Sequence, residues 1–175
     1  MSATNPTMKI SVTRLFGPDP DPIEYECDLA PGGELKGRYP HGVRFAALIR
    51  PISHGVFVEG TIEGRESETC ARCLEEFARN VSVRVAEAYS EDVPASDALI
   101  SDVAPLVNRE IDIDELVSQM LVVDEPIAAV CDPRCKGICP MCGVNRNVQS
   151  CSCTDATIDP RLAGLARLLE ERGTD

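Results

Sequence analysis

The chain has 175 residues and a formal net charge of −12, with 17 Lys and Arg against 29 Asp and Glu. That balance argues against a general nucleic-acid binder, which carries a basic footprint, and no apolar run approaches the roughly 20 residues of a membrane span. Hydrophobic residues make up 43% and aromatics only 4%, with no Trp, so a core must be built mostly from Val, Ile, Leu and Ala. The length suits one domain, or one with a small appended module. The opening MSATNPTMKI lacks the apolar stretch of a signal peptide. A cytoplasmic protein is therefore expected, and in that compartment a thiol cluster favours metal over disulfides.

Taken in order, residues 1–7 read as a disordered lead-in and residues 8–90 as an antiparallel β domain. MKISVTRLF, residues 8–16, is β-prone and partly alternating, which predicts a strand. GPDPDP at 17–22 is a turn cluster, and residues 23–29 form a second extended segment. Cys27 in it reads as a packed small hydrophobe. Residues 43–49, 56–69 and 77–89 read as further strands, the last with Val81, Val83 and Val85 on one face. His41-Gly42-Val43 and His54-Gly55-Val56 mark two strand entries and are not read as metal sites. Cys70-Ala-Arg-Cys73 falls at the end of a predicted β-hairpin. Successive short strands of this kind predict an antiparallel sheet or a small barrel-like sheet.

Residues 91–110 read as an acidic linker. A helix is expected over 111–125, with Asp112 as its N-cap and Glu115 three residues on. Ile113, Leu116, Val117, Met120 and Leu121 recur at helical spacing, and Pro126 ends the run. Residues 131–175 are expected to form a metal-binding module with a terminal helix, which Asp159-Pro160 would open.

The most informative stretch is CDPRCKGICPMCGVNRNVQSCSC, which carries six of the nine cysteines between Cys131 and Cys153. Zinc takes four ligands in a tetrahedron and favours thiolates. Cys139-Pro-Met-Cys142-Gly143 has the form of a metal knuckle, because two intervening residues allow a tight turn and Gly143 accepts unusual backbone angles. Amides in such a turn can point at the sulfurs. Cys151-Ser-Cys153 could supply the other half. The expected ligands are Cys139, Cys142, Cys151 and Cys153, with Cys135 and then Cys131 as substitutes. Six cysteines exceed one mononuclear site. Either two are spectators or a second site forms with the thiol pair Cys70 and Cys73.

Charge is unevenly spread. Residues 87–125 hold eleven acids against one base, Arg109, whereas residues 131–175 hold six of each. An acidic segment suits a basic partner, although plain solubility is the reading that charge alone favours, by about two to one. Around the cysteines, Arg72, Arg134, Lys136, Arg146, Arg161 and Arg167 are candidate contacts to RNA or a partner. An all-Cys site argues for structure over catalysis. No phosphate-binding glycine loop, dinucleotide fingerprint or nucleophile elbow occurs. A non-enzyme is expected. The competing readings are a thiol redox protein using Cys70 and Cys73, with Arg72 lowering a thiol pKa, and a zinc-ribbon transcription regulator, which the acidic balance disfavours.

The order Cys70-Ala-Arg-Cys73-Leu74, Ile111-Asp112-Ile113, Glu125-Pro126, CKGICPMCGVNRN, CSC and Asp159-Pro160-Arg161 resembles the YceD family, the large-ribosomal-RNA-subunit accumulation proteins of bacteria and plastids. The resemblance spans roughly residues 61–169 and fits an actinobacterial-like member with a C-terminal cysteine cluster. Gly137-Ile138-Cys139 stands for the usual Gly-Leu-Cys. Asn145-Arg146-Asn147 stands for Asn-Leu-Asn, with a charge where an apolar residue is usual. The resemblance implies a non-enzymatic role in large-subunit ribosomal RNA accumulation, with precursor RNA or a basic ribosomal protein such as L32 as partner. Some relatives keep the Cys-x-x-Cys pair without the C-terminal cluster. That implies a division of labour in which the cluster stabilises an extension and Cys70/Cys73 carry the shared role.

Overall fold

The computed structural model describes residues 8–33, 35–94 and 103–153. The lead-in and the helix expected after Asp159-Pro160, with Arg161 and Arg167, lie outside the described residues. The chain divides into two compact units. The first comprises Met1–Thr69 and Glu76–Ala129, and the second Cys70–Glu75 and Val130–Asp175.

The first unit is α+β and mostly strand. Its elements run β1 (Lys9–Ser11), a 3-10 turn (Thr13–Phe16), β2 (Ile23–Leu29), α1 (Leu35–Arg38), β3 (Val43–Ile52), β4 (Gly55–Thr69), β5 (Glu76–Ser90), β6 (Ala104–Pro105), β7 (Glu110–Asp112) and α2 (Ile113–Val123). Five strands form one sheet in the order β2-β3-β4-β5-β6, and β1 pairs with β7 in a second, two-stranded sheet. The larger sheet is open, with β2 and β6 at its edges, so it is a sheet and does not close into a barrel.

Alternation builds the core. Phe45 on β3 lies opposite Ile62 on β4, and Ile62 opposite Val83 on β5. Ile49 lies opposite Val58. All five are buried, and each such apolar side chain contributes about 1.5–3 kcal/mol. Polar residues between them face outward, the pattern of a sheet with one buried face. Ile52 and Gly55 pair across a two-residue turn at Ser53-His54. At the far end of β4 the last pair is Thr69 with Glu76, so Cys70–Glu75 forms the hairpin tip.

Three expectations need correction. The strand over 8–16 stops at Ser11 and gives way to the 3-10 turn. Val12 and Leu15 are three residues apart and both buried, which a turn of period three allows and a strand does not. The linker over 91–110 is also partly structured. Ala104–Pro105 pairs in parallel with Tyr89–Ser90, and the Leu106 amide donates to the Ser90 carbonyl at 2.8 Å. Proline fits there because β6 is an edge strand and its missing N–H breaks no ladder. Ile111 belongs to β7, so the helix begins at Ile113.

Asp112 caps α2, accepting a hydrogen bond from the Glu115 amide at 3.0 Å. Ile113, Leu116, Val117 and Leu121 form its buried stripe. The helix ends at Val123, just before Asp124 and Glu125, whose charges are unfavourable at a helix C-terminus. Arginines offset them: Arg79 lies 3.6 Å from Asp124, and Arg38 lies 2.7 Å from Glu125. Both arginines also hold Glu66, whose side chain is fully buried on β4. Arg79 donates to Glu66 Oε2 at 2.6 and 3.2 Å, and Arg38 donates to Glu66 Oε1 and, at 2.8 Å, to Glu68.

A buried carboxylate between two guanidiniums is costly to break from one side. Glu66→Ala should lower the urea midpoint by the equivalent of about 2–3 kcal/mol, below the 3–5 of a fully buried pair, because Arg38 and Arg79 are 22% and 31% exposed. Glu68→Ala should cost less than about 1 kcal/mol, since Arg38 keeps its other partners.

Candidate metal centres

Two cysteine knuckles in the second unit share one backbone pattern. In the hairpin tip, the Cys70 amide donates to the Glu75 carbonyl at 2.9 Å, and the Leu74 amide returns to the Cys70 carbonyl at 2.9 Å. In the second, the Cys139 amide donates to Val144 at 2.8 Å, and the Gly143 amide to Cys139 at 2.8 Å. Each turn needs a left-handed residue directly after its second cysteine. Gly143 fills that place with φ 73°, and Leu74 fills the other with φ 61°. The sequence advertises the glycine version; the leucine hides its twin.

Each knuckle meets a different pair of cysteines. Cys70 and Cys73 gather with Cys131 and Cys135; Cys139 and Cys142 gather with Cys151 and Cys153. Within each group all sulfurs lie within 4.8 Å of one another. A zinc tetrathiolate with Zn–S near 2.3 Å needs sulfurs about 3.8 Å apart. Cys70 and Cys135 are 3.9 Å apart, and Cys73 and Cys131 3.7 Å. These are too long for disulfides, and all nine cysteines are free thiols. The residue set and spacing fit a four-coordinate metal at each group.

Backbone and side-chain donors surround the sulfurs. The Cys131 amide donates to Cys70 Sγ at 3.4 Å. That amide first, then the Cys73 amide, pulls the Cys70 thiol down to about 6. The Cys142 and Met141 amides lower Cys139 to about 6 in the same way. Burial pushes the Cys135 thiol up, but the Gly137 amide and the Asn147 side chain, which donates to Cys135 Sγ at 3.2 Å, leave it lowered on balance. Cys131 rises to about 12, because of its hydrogen bond with Cys70, and Cys153 to about 12, because of Cys142. Uneven proton sharing of this kind is what close thiols do without a cation, and metal binding displaces those protons.

Cys139, Cys142, Cys151 and Cys153, the expected ligands, stand together as one group. Cys131 and Cys135 join Cys70 and Cys73 in the other, so they are not substitutes in the first. The expected division of labour between the Cys70/Cys73 pair and the C-terminal cluster does not match this geometry, because both groups include the C-terminal stretch. Cys27 sits on β2 opposite Phe45, in neither group. His54 lies 3.2 Å from Asp92, and neither His54 nor His41 joins a group.

The candidate contact residues separate by role. Arg72 donates to the carbonyls of Pro133 at 3.0 Å and Cys135 at 3.2 Å, and its own carbonyl accepts from the Ile138 amide at 3.0 Å. It therefore binds the knuckle to the segment carrying Cys135. Arg146 places Nη2 3.7 Å from Cys139 Sγ. Arg134 is 93% exposed, 3.6 Å from Asp132, and Lys136 is exposed.

An α+β protein with two four-cysteine groups that could each hold a metal ion is thus the class that fold and site define. The family described as "Large ribosomal RNA subunit accumulation protein YceD" matches residues 58–169, and the chain belongs to it. Uncharacterized proteins of Mycobacterium bovis and Mycobacterium tuberculosis are 31% identical over 130 residues, which is 69% of this chain and 59% of each relative's own length. The chain thus spans less than two thirds of these relatives. "Large ribosomal RNA subunit accumulation protein YCED homolog 1, chloroplastic" of Zea mays is 42% identical over 50 residues, 28% of this chain and 17% of that protein. No solved structure matches significantly. Among the described residues, no helix is long and apolar enough to cross a membrane.

Gly137 gives a local test. With φ 70°, an added Cβ would lie 3.0 Å from the Arg72 carbonyl oxygen. Gly137→Ala should therefore speed amide hydrogen exchange across residues 130–148, from a local loss of about 1–2 kcal/mol. Gly143→Ala meets no atom within 4 Å and should show the smaller, backbone-only effect.

Proposed function

We propose that this chain is a non-enzymatic ribosome-biogenesis factor that supports accumulation of large-subunit ribosomal RNA, with structural zinc in its cysteine groups. The observation that carries this reading is the family match over residues 58–169, a stretch that includes all eight grouped cysteines. Zinc is the favoured ion because a tetrahedral set of soft thiolates suits it. Four thiolates leave no open coordination position, which favours a folding role over catalysis. Metal binding would supply folding free energy to a segment that has little core of its own.

The thiol redox alternative is less well supported. A redox Cys-x-x-Cys begins a helix in a βαβ unit, whereas Cys70 and Cys73 lie at a hairpin tip among two further thiols. The transcription-regulator alternative needs a basic surface for duplex DNA. Arg72 and Arg146 instead contact the module's own carbonyls and sulfur.

The test is affinity purification of the tagged protein from growing cells, with and without ribonuclease. Large-subunit precursor RNA in the untreated sample, with ribosomal proteins lost on ribonuclease treatment, is the expected result for an RNA-directed factor. Ribosomal proteins that survive ribonuclease, L32 among the candidates, would identify a protein chaperone working through the acidic segment. Recovery of neither would overturn the assignment. Elemental analysis of the purified protein should find zinc, and its removal by a strong chelator should expose the segment from residue 130 onward to protease while strands β2–β5 stay protected.

A further inference from the structure

The two cysteine groups share a connecting turn. Only Lys136, Gly137 and Ile138 separate Cys135, a member of the first group, from Cys139, a member of the second. Opposite this stretch lies Asn145-Arg146-Asn147, whose residues reach both groups. Asn147 Nδ2 donates to Cys135 Sγ at 3.2 Å, and Asn147 Oδ1 accepts from the Lys136 amide at 2.8 Å. Arg146 Nη2 lies 3.7 Å from Cys139 Sγ, and the Arg146 amide donates to the Gly137 carbonyl at 2.9 Å. Asn145 Oδ1 accepts from both the Asn147 amide and Nδ2, each at 2.9 Å, and Asn145 Nδ2 reaches Glu75 in the first knuckle at 3.4 Å. Asn145 also bridges Ile138.

We propose that the chain takes up two metal ions as a thermodynamically coupled pair, with Asn147 and Arg146 as the positioning residues that carry the coupling. The inference rests on the zinc reading above and extends it from presence to cooperativity. Loading the first group fixes Cys135 and orients the Asn147 amide toward its sulfur. That sets the 145–147 turn, which holds Arg146 against Cys139. The second group then binds with part of its ordering entropy already met, the condition for positive cooperativity. Linkage requires the effect to run equally in both directions. Two anionic tetrathiolate centres repel, and this opposes the coupling; Arg146 and Lys136 in the shared stretch counter it. Arg146→Leu would remove one of these two charges.

Zinc affinity of each group, measured by chelator competition and native mass spectrometry, tests the proposal. In Cys73→Ser the remaining group, Cys139/Cys142/Cys151/Cys153, should bind zinc about 5- to 150-fold more weakly than it does in the intact chain, the range of ordinary allosteric coupling. In Cys151→Ser the first group should weaken by the same factor. Asn147→Ala and Arg146→Leu keep all eight thiols, so they should still bind two ions, but with more of the one-metal species during titration. Unchanged affinity in both Cys→Ser variants would overturn the coupling while leaving the zinc reading intact. Full coupling in Asn147→Ala and Arg146→Leu would overturn the role of the 145–147 turn. An intact chain that binds no zinc would remove both readings together.

Discussion

The closing of four sulfurs around one point is the constraint on which the second unit depends. Cys70 and Cys135 are 65 residues apart in sequence, and Cys73 and Cys131 are 58 apart, yet each pair stands at the separation of a tetrathiolate edge. Closing a loop of that length costs conformational entropy, which grows only slowly with length. A metal bound by thiolates is among the few contacts strong enough to hold such a closure in a segment with little apolar core. Among the described residues 130–153, the buried side chains are those of two cysteines, Cys135 and Cys139. Sulfur therefore takes the place that Val, Ile and Leu occupy in the first unit.

Arg72 shows how that closure is made specific. Its guanidinium holds two carbonyls of the 133–135 segment, and its carbonyl holds the Ile138 amide. An x position in a Cys-x-x-Cys motif is usually read as a modulator of thiol reactivity. Here the side chain points away from that role and works as a fastening between two strands of sequence. Gly137 beside it has φ 70°, and an added Cβ there would also press on the Arg72 carbonyl. Arg146 is accounted for in the same way. A leucine there would be apolar packing, whereas the guanidinium sits beside the Cys139 sulfur.

Much of the first unit was legible because period-two alternation survives in β3, β4 and β5, and because Asp112 announces α2. What the sequence hid was either short or non-local. α1 spans four residues, Leu35–Arg38, too few for a periodic signal. β6 contains a proline and pairs through two residues only. Glu66 looks like one more outward-facing acid on an alternating strand. Its burial depends on Arg38 and Arg79, which lie 28 and 13 residues away. The group Cys139/Cys142/Cys151/Cys153 could be read from spacing because its members are local. The group Cys70/Cys73/Cys131/Cys135 was legible only as one of two alternatives, a second site or two spectator cysteines, since no local spacing pairs a hairpin tip with a segment some sixty residues later. The αL leucine at position 74 removed the glycine cue that would have marked the first knuckle as a twin of the second.

The charge of the cysteine unit bears on what it can touch. Its described residues hold four bases, Arg72, Arg134, Lys136 and Arg146, and two acids, Glu75 and Asp132. Taken alone that is a mildly basic surface. Two loaded tetrathiolate centres would each be doubly negative and would reverse the sign of this described part of the unit. Arg72 and Arg146 already serve its internal contacts. Among the described residues, the exposed bases left to meet a partner are Arg134 and Lys136, which flank Cys135. Two such charges make a weak phosphate-backbone site, since salt-resistant binding needs many neutralised phosphates. If RNA is the partner, shape and apolar contact are further sources of binding within the described residues. Exposed Leu74, 62% accessible, and Met141, 64%, at the two knuckles, together with Val148, 85%, are apolar side chains available for that. A basic protein partner would instead find its complement in the acidic stretch of the first unit, where electrostatic steering favours encounter. The two kinds of partner thus call on different units of the same chain, so substitutions confined to one unit separate them.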